Sequence, residues 1–330
     1  MKKVMNSPVD YVDEMLEGLC LAHGGSFRQP EKRVIVRASG AIRGKVGIVT
    51  GGGSGHLPVF TGYVGPGLLD AAAIGDVFAS PSAEQIASAM RYANGGAGVL
   101  SLYGNYGGDV MNFDMASEIL AMEDIRSATV VVADDVASAP KAEAKKRRGV
   151  AGMIFAFKGA GARADEHADL GEVAKAAQKV ADACGSIGFA LSPCILPQAG
   201  APTFDLAPDE MEMGMGIHGE PGIWRAKLKT ADQLADEMLD YLVDDLGLGR
   251  GERVSVLVNS LGATPLEELY IMYRRLGARF ADKGMTIVRP LVGRYATSLE
   301  MSGATLTICR LDSEIERLLA APCDCPFWKS

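Results

Sequence analysis

Apolar residues return along this chain at two spacings. Val12, Met15, Leu16, Leu19 and Cys20 recur every three or four positions, which predicts a helix with one buried face. Ser7-Pro8-Val9-Asp10 precedes them as a start signal: a capping serine, a proline at the first helical position and an acid in the first turn. Gly24 marks the expected end. Short unbroken apolar runs then predict strands at Val34-Ile35-Val36, Val46 to Thr50, Gly98 to Leu102, Thr129 to Ala133 and Met153-Ile154-Phe155. Helical spacing fills the intervals at Ala83 to Tyr92, Val110 to Glu123 and Glu166 to Ala183. Strands alternating with helices predict an α/β layer fold on mixed or mainly parallel sheets.

The pattern restarts at Cys184-Gly185-Ser186, where Ile187 to Leu191 reads as a strand. A stretch containing proline and glycine follows, from Pro193 to Pro208. Beyond it the spacing predicts a helix over Ala231 to Leu246, a strand over Val254 to Asn259 and a helix over Pro265 to Asp282. Strands at Met285 to Val288 and Thr305 to Arg310, then a helix at Ser313 to Leu319, complete the reading. Two α/β domains are expected, residues 1–183 and 184–330.

Composition narrows the class. The 330 residues are 48% hydrophobic with a net charge of −8, so a large core is expected and a basic face for nucleic acid is not. The one basic run, Lys145-Lys146-Arg147-Arg148, reads as a solvated helix end. No stretch approaches the ~20 apolar residues of a membrane span, and no apolar segment follows Lys2-Lys3 as in a signal peptide. The six cysteines are scattered, which predicts a reduced, cytoplasmic protein. Cys323 and Cys325 alone would not close a zinc site.

Four segments carry candidate chemistry. "GGGSGHLPVF" (51–60) follows a strand, but His56 stands where a dinucleotide loop has its last glycine, and no Gly-Lys-Ser/Thr follows. Two readings remain: backbone N–H groups aimed at an oxygen of a ligand, or a tight turn around a partly buried histidine. "MGMGIHGEPGI" (213–223) sets His218 among four glycines, where a ligand can approach its ring closely. In "YGNYGGDVMNF" (103–113), Asp109 is read as a helix N-cap, with a general base as the alternative. In "FASPSAEQ" (78–85), Ser80 before Pro81 reads as a cap whose hydroxyl could instead face a pocket. Asp134-Asp135 at a strand end could hold magnesium, but turn and cap roles are preferred.

Six ordered blocks together resemble the K-type, substrate-binding subunit family of dihydroxyacetone kinases. They are "GGGSGH" (51–56), "GPGLLDAAAIGDVFASPS" (65–82), "NYGGDVMNF" (105–113), "RRGVAG" (147–152), "GIHGEPGI" (216–223) and "NSLGATPLEELY" (259–270). The resemblance implies a homodimer of two-domain chains that binds a small ketose. It implies that ATP or ADP with magnesium is carried by a separate L-type subunit or a fused domain, with bound ADP recharged in some members by a phosphotransferase-system protein. His218 matches the histidine that forms a hemiaminal with the ketone, His56 the one that hydrogen-bonds substrate, and Asp109 the proposed base. Gly53 matches a backbone contact, and Ser80 lies in the motif beside the ketose.

Two positions depart from that pattern. Leu57 follows the first histidine where the family often has Glu, and Gly104 stands where a substrate-contacting lysine is common. A larger substrate, such as erythrulose or a branched ketose, is therefore expected beside dihydroxyacetone itself. A ketose-sensing regulatory paralogue is the alternative, and retention of Asp109 favours the enzyme. A free-standing dehydrogenase is opposed by the failed dinucleotide fingerprint.

Overall fold

A computed structural model describes residues 2–220 and 222–330. Helix α1 (Tyr11–Ala22) leads into β1 (Phe27–Glu31), β2 (Val34–Arg37), β3 (Gly47–Ser54) and β4 (Ala71–Val77). Then come α2 (Ala83–Ala93), β5 (Val99–Gly104), α3 (Gly107–Met122) and β6 (Ser127–Val132). These strands form one six-stranded sheet in the order β1-β2-β4-β3-β5-β6. Its four-strand side β4-β3-β5-β6 is parallel, and β1 and β2 add an antiparallel edge.

Two helices follow, α4 (Gly152–Asp165) and α5 (Leu170–Asp182). The second sheet uses β7 (Cys184–Ser192), β8 (Glu210–Met213) and β9 (Trp224–Lys227), then β10 (Arg253–Ser260) after α6 (Ala231–Leu246). Helix α7 (Leu266–Asp282), β11 (Thr286–Gly293), β12 (Ser302–Leu311) and α8 (Ser313–Ala320) come next. A hairpin of β13 (Asp324–Cys325) and β14 (Trp328–Lys329) ends the order. The second sheet runs β11-β10-β12-β7-β8-β9, and only β10 and β11 pair in parallel. Both sheets are mixed, as expected, but the second is mainly antiparallel.

Helix α4 packs against β3, β5 and β6 of the first sheet and β7 and β12 of the second. Nearly every residue from Gly152 to Ala164 is buried. This explains why Met153-Ile154-Phe155, expected as a strand, is helical: a helix buried all round has no polar face to reveal its period. Asp134 holds the start of this helix, accepting the N–H groups of Val150 and Gly152 at 2.7 Å each. Its carboxylate thereby faces the positive end of the helix dipole.

Several predicted boundaries shift for local reasons. Helix α1 begins at Tyr11, beyond Ser7-Pro8, and His23 stands at its C-cap. The cap of α2 is Ser82, which forms a reciprocal capping box with Gln85, so Ser80 is not the cap. Helix α5 begins at Leu170 behind a capping box of Asp169 and Glu172. Helix α3 begins at Gly107, so Asp109 lies inside the first turn instead of at the N-cap, which is Tyr106.

Candidate active site

The three glycines after Thr50 are part of β3, not a turn beyond it. A Cβ at Gly52 would stand 2.2 Å from the Phe60 ring, and one at Gly53 would stand 2.7 Å from the Ala79 nitrogen. These glycines therefore let two protein segments close on the strand. They bring the loop carrying Phe78, Ala79 and Ser80 against the end of β3. Phe78 holds φ of 57°, a conformation that costs a bulky residue energy.

His56 follows immediately and is fully buried. Its Nδ1 lies 2.8 Å from the Thr297 carbonyl oxygen. A carbonyl can only accept, so Nδ1 carries the proton and Nε2 keeps its lone pair. Nε2 is buried without a partner among the described residues. The segment is further fixed by Leu299 N–H donating to the Gly55 carbonyl at 2.7 Å and Thr297 Oγ1 donating to Leu57 O at 3.1 Å. Residues 55–57 are thus stitched to the chain that precedes β12.

His218 arrives on the loop after β8. Gly214 starts that loop with φ of 76°, where a Cβ is disfavoured, and its N–H donates to Gly188 O at 2.7 Å. The rings of His56 and His218 meet edge to face with centroids 4.4 Å apart. Phe78 stacks on His56 at 5.0 Å, and Tyr106 packs on His218 at 4.2 Å. The Tyr106 hydroxyl is tied to Gly149 O at 3.0 Å, which fixes that ring.

Arg148 organises the histidine loop from below. Its guanidinium donates to Asp135 and, at 2.7 Å, to Gly214 O. Arg147, its neighbour, pairs with Asp245. Of the run expected to be a solvated helix end, Arg147 is buried and Arg148 half-buried, both in ion pairs, while Lys145 and Lys146 are exposed. Glu220 accepts the His218 backbone N–H at 3.1 Å and sets its other oxygen 3.6 Å from His218 Nδ1.

The electrostatics keep both imidazoles neutral. Burial, with a smaller effect from Arg148, pushes the His218 pKa down to about 4. Burial and the neighbouring His218 push His56 down to about 3. Asp109 moves the other way: burial raises its pKa to about 6, and the Ser80 hydroxyl pulls it partly back. Its Oδ1 is buried without a partner among the described residues. A Cβ on Gly108 would stand 2.7 Å from Ser80 Oγ, so this helix turn and the Ser80 loop are in contact.

The structure thus joins Gly53, His56, Ser80, Asp109 and His218 through one set of contacts. Gly104 ends β5 beside them. A Cβ there would lie 3.0 Å from Met153 Sδ and 3.3 Å from the Tyr106 ring, so part of the space a lysine would enter is occupied. Leu57 lines a cleft of about 370 Å³ with Tyr11, Met15 and Leu299. Tyr106, Arg148 and Thr297 escaped the sequence reading as site residues. Asp134 and Asp135 are committed to backbone N–H groups and to Arg148, so they do not fit a magnesium ion.

Residues 17–327 match the model of the Dak1 domain. The chain belongs to the Dak1 family. A Listeria innocua relative, the dihydroxyacetone-binding subunit DhaK of PTS-dependent dihydroxyacetone kinase 2, is 45% identical over 100% of this chain and 99% of its own. The L-erythrulose kinase of Pectobacterium atrosepticum is 43% identical over 100% of this chain, but this chain spans only 56% of that protein. Among solved structures, dihydroxyacetone kinase from C. freundii in complex with AMP-PNP and Mg2+ matches with a TM-score of 0.90 at 32% identity. That match covers 100% of this chain and 61% of the other. The dihydroxyacetone kinase operon co-activator Dha-DhaQ matches with a TM-score of 0.90 at 32% identity, over 96% of this chain and 98% of its own. The Dak1 chain is thus a member of a kinase family. No described helix is long and apolar enough to cross a membrane.

Proposed function

We propose that this chain captures a short ketose on His218 and presents the ketose hydroxyl for phosphorylation by a nucleotide held on a partner subunit. The observation that carries the reading is the pair of buried, neutral imidazoles 4.4 Å apart at the centroids, with His56 Nε2 and His218 Nδ1 both buried and making no hydrogen bond among the described residues.

Neutral imidazole is nucleophilic, and imidazolium is not. Nδ1 of His218 faces Glu220, so Nε2 is assigned as the attacking atom. The Nε2–C bond forms as the carbonyl π pair moves to oxygen. Nδ1 releases its proton toward Glu220, one proton is delivered to that oxygen in its place, and Glu220 ends as the carboxylate. The product is a hemiaminal. Glycerol has no electrophilic carbon and is rejected. His56 Nε2, an acceptor, receives a hydrogen bond from a substrate hydroxyl. Asp109 takes the proton of the terminal hydroxyl as its oxygen attacks the γ-phosphorus, and ADP leaves. Covalent capture fixes that hydroxyl for in-line attack.

The nucleotide and its magnesium belong to an L-type partner in this reading, and a phosphotransferase protein can recharge the ADP there. The Listeria relative, a subunit of a PTS-dependent dihydroxyacetone kinase, supports that route. The substrate is dihydroxyacetone or a four-carbon ketose such as erythrulose; the two kinds of kinase among the relatives support both. Two domains divided at residue 184, a homodimer and a cytoplasmic location complete the proposal.

The test mixes this chain with an L-type subunit, Mg-ATP and a panel of dihydroxyacetone, both erythrulose enantiomers and glycerol. Sugar phosphate from a ketose and a matching mass adduct on His218 are expected. The likeness to the co-activator gives a second reading, ketose sensing without transfer. Adduct formation with no phosphorylated product from any ketose would establish that reading instead.

A further inference from the structure

Away from the histidine pair, two thiols meet across a pair of strands. Cys184 opens β7 and Cys309 lies in β12, directly opposite it in the antiparallel register. The Arg310 N–H donates to Ala183 O at 2.9 Å, so the ladder bond runs just outside the cysteine pair. Cys184 and Cys309 therefore form a non-hydrogen-bonded pair. In such pairs the Cα atoms stand about 4.5 Å apart and both side chains leave the same face. A disulfide accepts Cα separations of about 4.4–6.8 Å.

The neighbouring pair on that face confirms how close the strands come. Ser186 and Thr307 are opposite each other, and their hydroxyls are 2.6 Å apart. The Cys309 thiol donates to the Arg310 carbonyl oxygen at 3.7 Å, and it lies near enough to Cys184 to raise the pKa of that thiol. Cys309 is fully enclosed. Cys184 lines a cleft of about 660 Å³ with Gln178, Asp182 and Asp245. Cys323 and Cys325 are separated by one residue at the start of the β13–β14 hairpin, and the Cys323 thiol meets the Ser330 hydroxyl at 3.1 Å.

We propose that Cys184 and Cys309 are a reversible oxidation site, closed to a cross-strand disulfide by a low-molecular-weight disulfide that enters through this cleft. The Cys184 thiolate attacks one sulfur of the oxidant, forming a mixed disulfide and releasing one thiol. Cys309 then attacks the Cys184 sulfur, and the second thiol leaves. Two protein thiols are oxidised and one external disulfide is reduced to two thiols. Burial and the contact with Cys309 raise the Cys184 pKa well above the usual thiol range, so the reaction accelerates with pH. The bond ties β7 to β12 and constrains the unfolded chain between them.

The experiment incubates the full chain with oxidised glutathione at mildly alkaline pH and maps peptides without reduction. A mass lower by two hydrogen atoms, a peptide joining Cys184 to Cys309, reversal by dithiothreitol and a higher urea midpoint are expected. Cys309→Ala should stop at a glutathione adduct on Cys184. Cys323→Ser/Cys325→Ser should still form the link. Wild-type protein in which Cys184 and Cys309 both remain alkylatable overturns the proposal, as does a link confined to Cys323 and Cys325. The wild-type peptide map decides even if a variant fails to fold.

Discussion

His56 and His218 stand edge to face with ring centroids 4.4 Å apart, although they lie 162 positions apart in the chain and each sits in its own glycine cluster. Neither can become charged without cost, because each ring is buried and each lies beside another potential cation. With Asp109 shifted the opposite way, the site has two different acid limits. His218 must be neutral to attack, and its pKa is about 4. Asp109 must be ionised to accept a proton, and its pKa is about 6. As pH falls through about 6, turnover should decline while the His218 adduct remains. The adduct should disappear as pH falls through about 4. Intact-mass titration beside a kcat profile checks this; a common midpoint for both would refute the assignment of separate roles.

Ser80 supplies a sharper test of the base. Its hydroxyl stabilises the Asp109 carboxylate and lowers its pKa against the effect of burial. Ser80→Ala removes that stabilisation, so the Asp109 pKa should rise above about 6 and the acid limb of kcat should move to higher pH. The adduct profile should stay in place. Asp109→Asn should keep the adduct and lower kcat by a factor of about 10²–10⁴, the usual worth of a positioned base. Near-normal turnover would remove Asp109 from that role.

Much of this architecture is legible in the sequence where one face of an element is polar. Helix α6 is read to the residue, because its apolar stripe is clear and Thr230 and Gln233 form the capping box. Strands β3, β10 and β12 are found from their apolar runs, short at one end or both. Helix α4 is misread because its burial on all sides hides the period. Strand β4 passes unnoticed as Ala71-Ala72-Ala73-Ile74-Gly75, a composition with weak strand propensity that only burial between β2 and β3 rescues. In the site, glycine surroundings single out His56 and His218. Asp109 looks like a cap because aspartate near a helix start usually is one. Thr297 carries no local signal, since its contribution is a backbone carbonyl aimed at a ring 241 positions away.

Arg148 links loop geometry to nucleophilicity. Its charge helps hold the His218 pKa down. Arg148→Met should raise that pKa, so the acid limit of adduct formation should move above about 4. The same change leaves Asp135 buried without its cation and should cost about 3–5 kcal/mol of stability. Arg148→Met/Asp135→Asn should recover part of the stability but not the adduct profile. Urea midpoints and mass titration of the two variants separate the effects; recovery of both together would make the arginine purely structural.

Gly104 tests what shapes the ketose pocket. The ring of Tyr106 packs on His218, and a Cβ at position 104 would press on that ring from 3.3 Å and on Met153 Sδ from 3.0 Å. Contacts of this length force the neighbours to yield by a few tenths of an ångström. Met153 can bend through its flexible side chain, whereas Tyr106 is anchored through its hydroxyl to Gly149. Gly104→Ala should therefore narrow the space beside His218 without adding a polar group. A pocket fitted to four carbons should lose erythrulose turnover by about 10-fold relative to dihydroxyacetone, the usual weight of one methylene-sized mismatch. Gly104→Lys should favour dihydroxyacetone further, provided Met153 gives way, and Gly104→Lys/Met153→Ala should strengthen that preference. The ratio of kcat/KM for the two ketoses is the readout. An unchanged ratio in Gly104→Ala would mean that this strand end does not bound the substrate, and the absent lysine would then carry no information about ketose size.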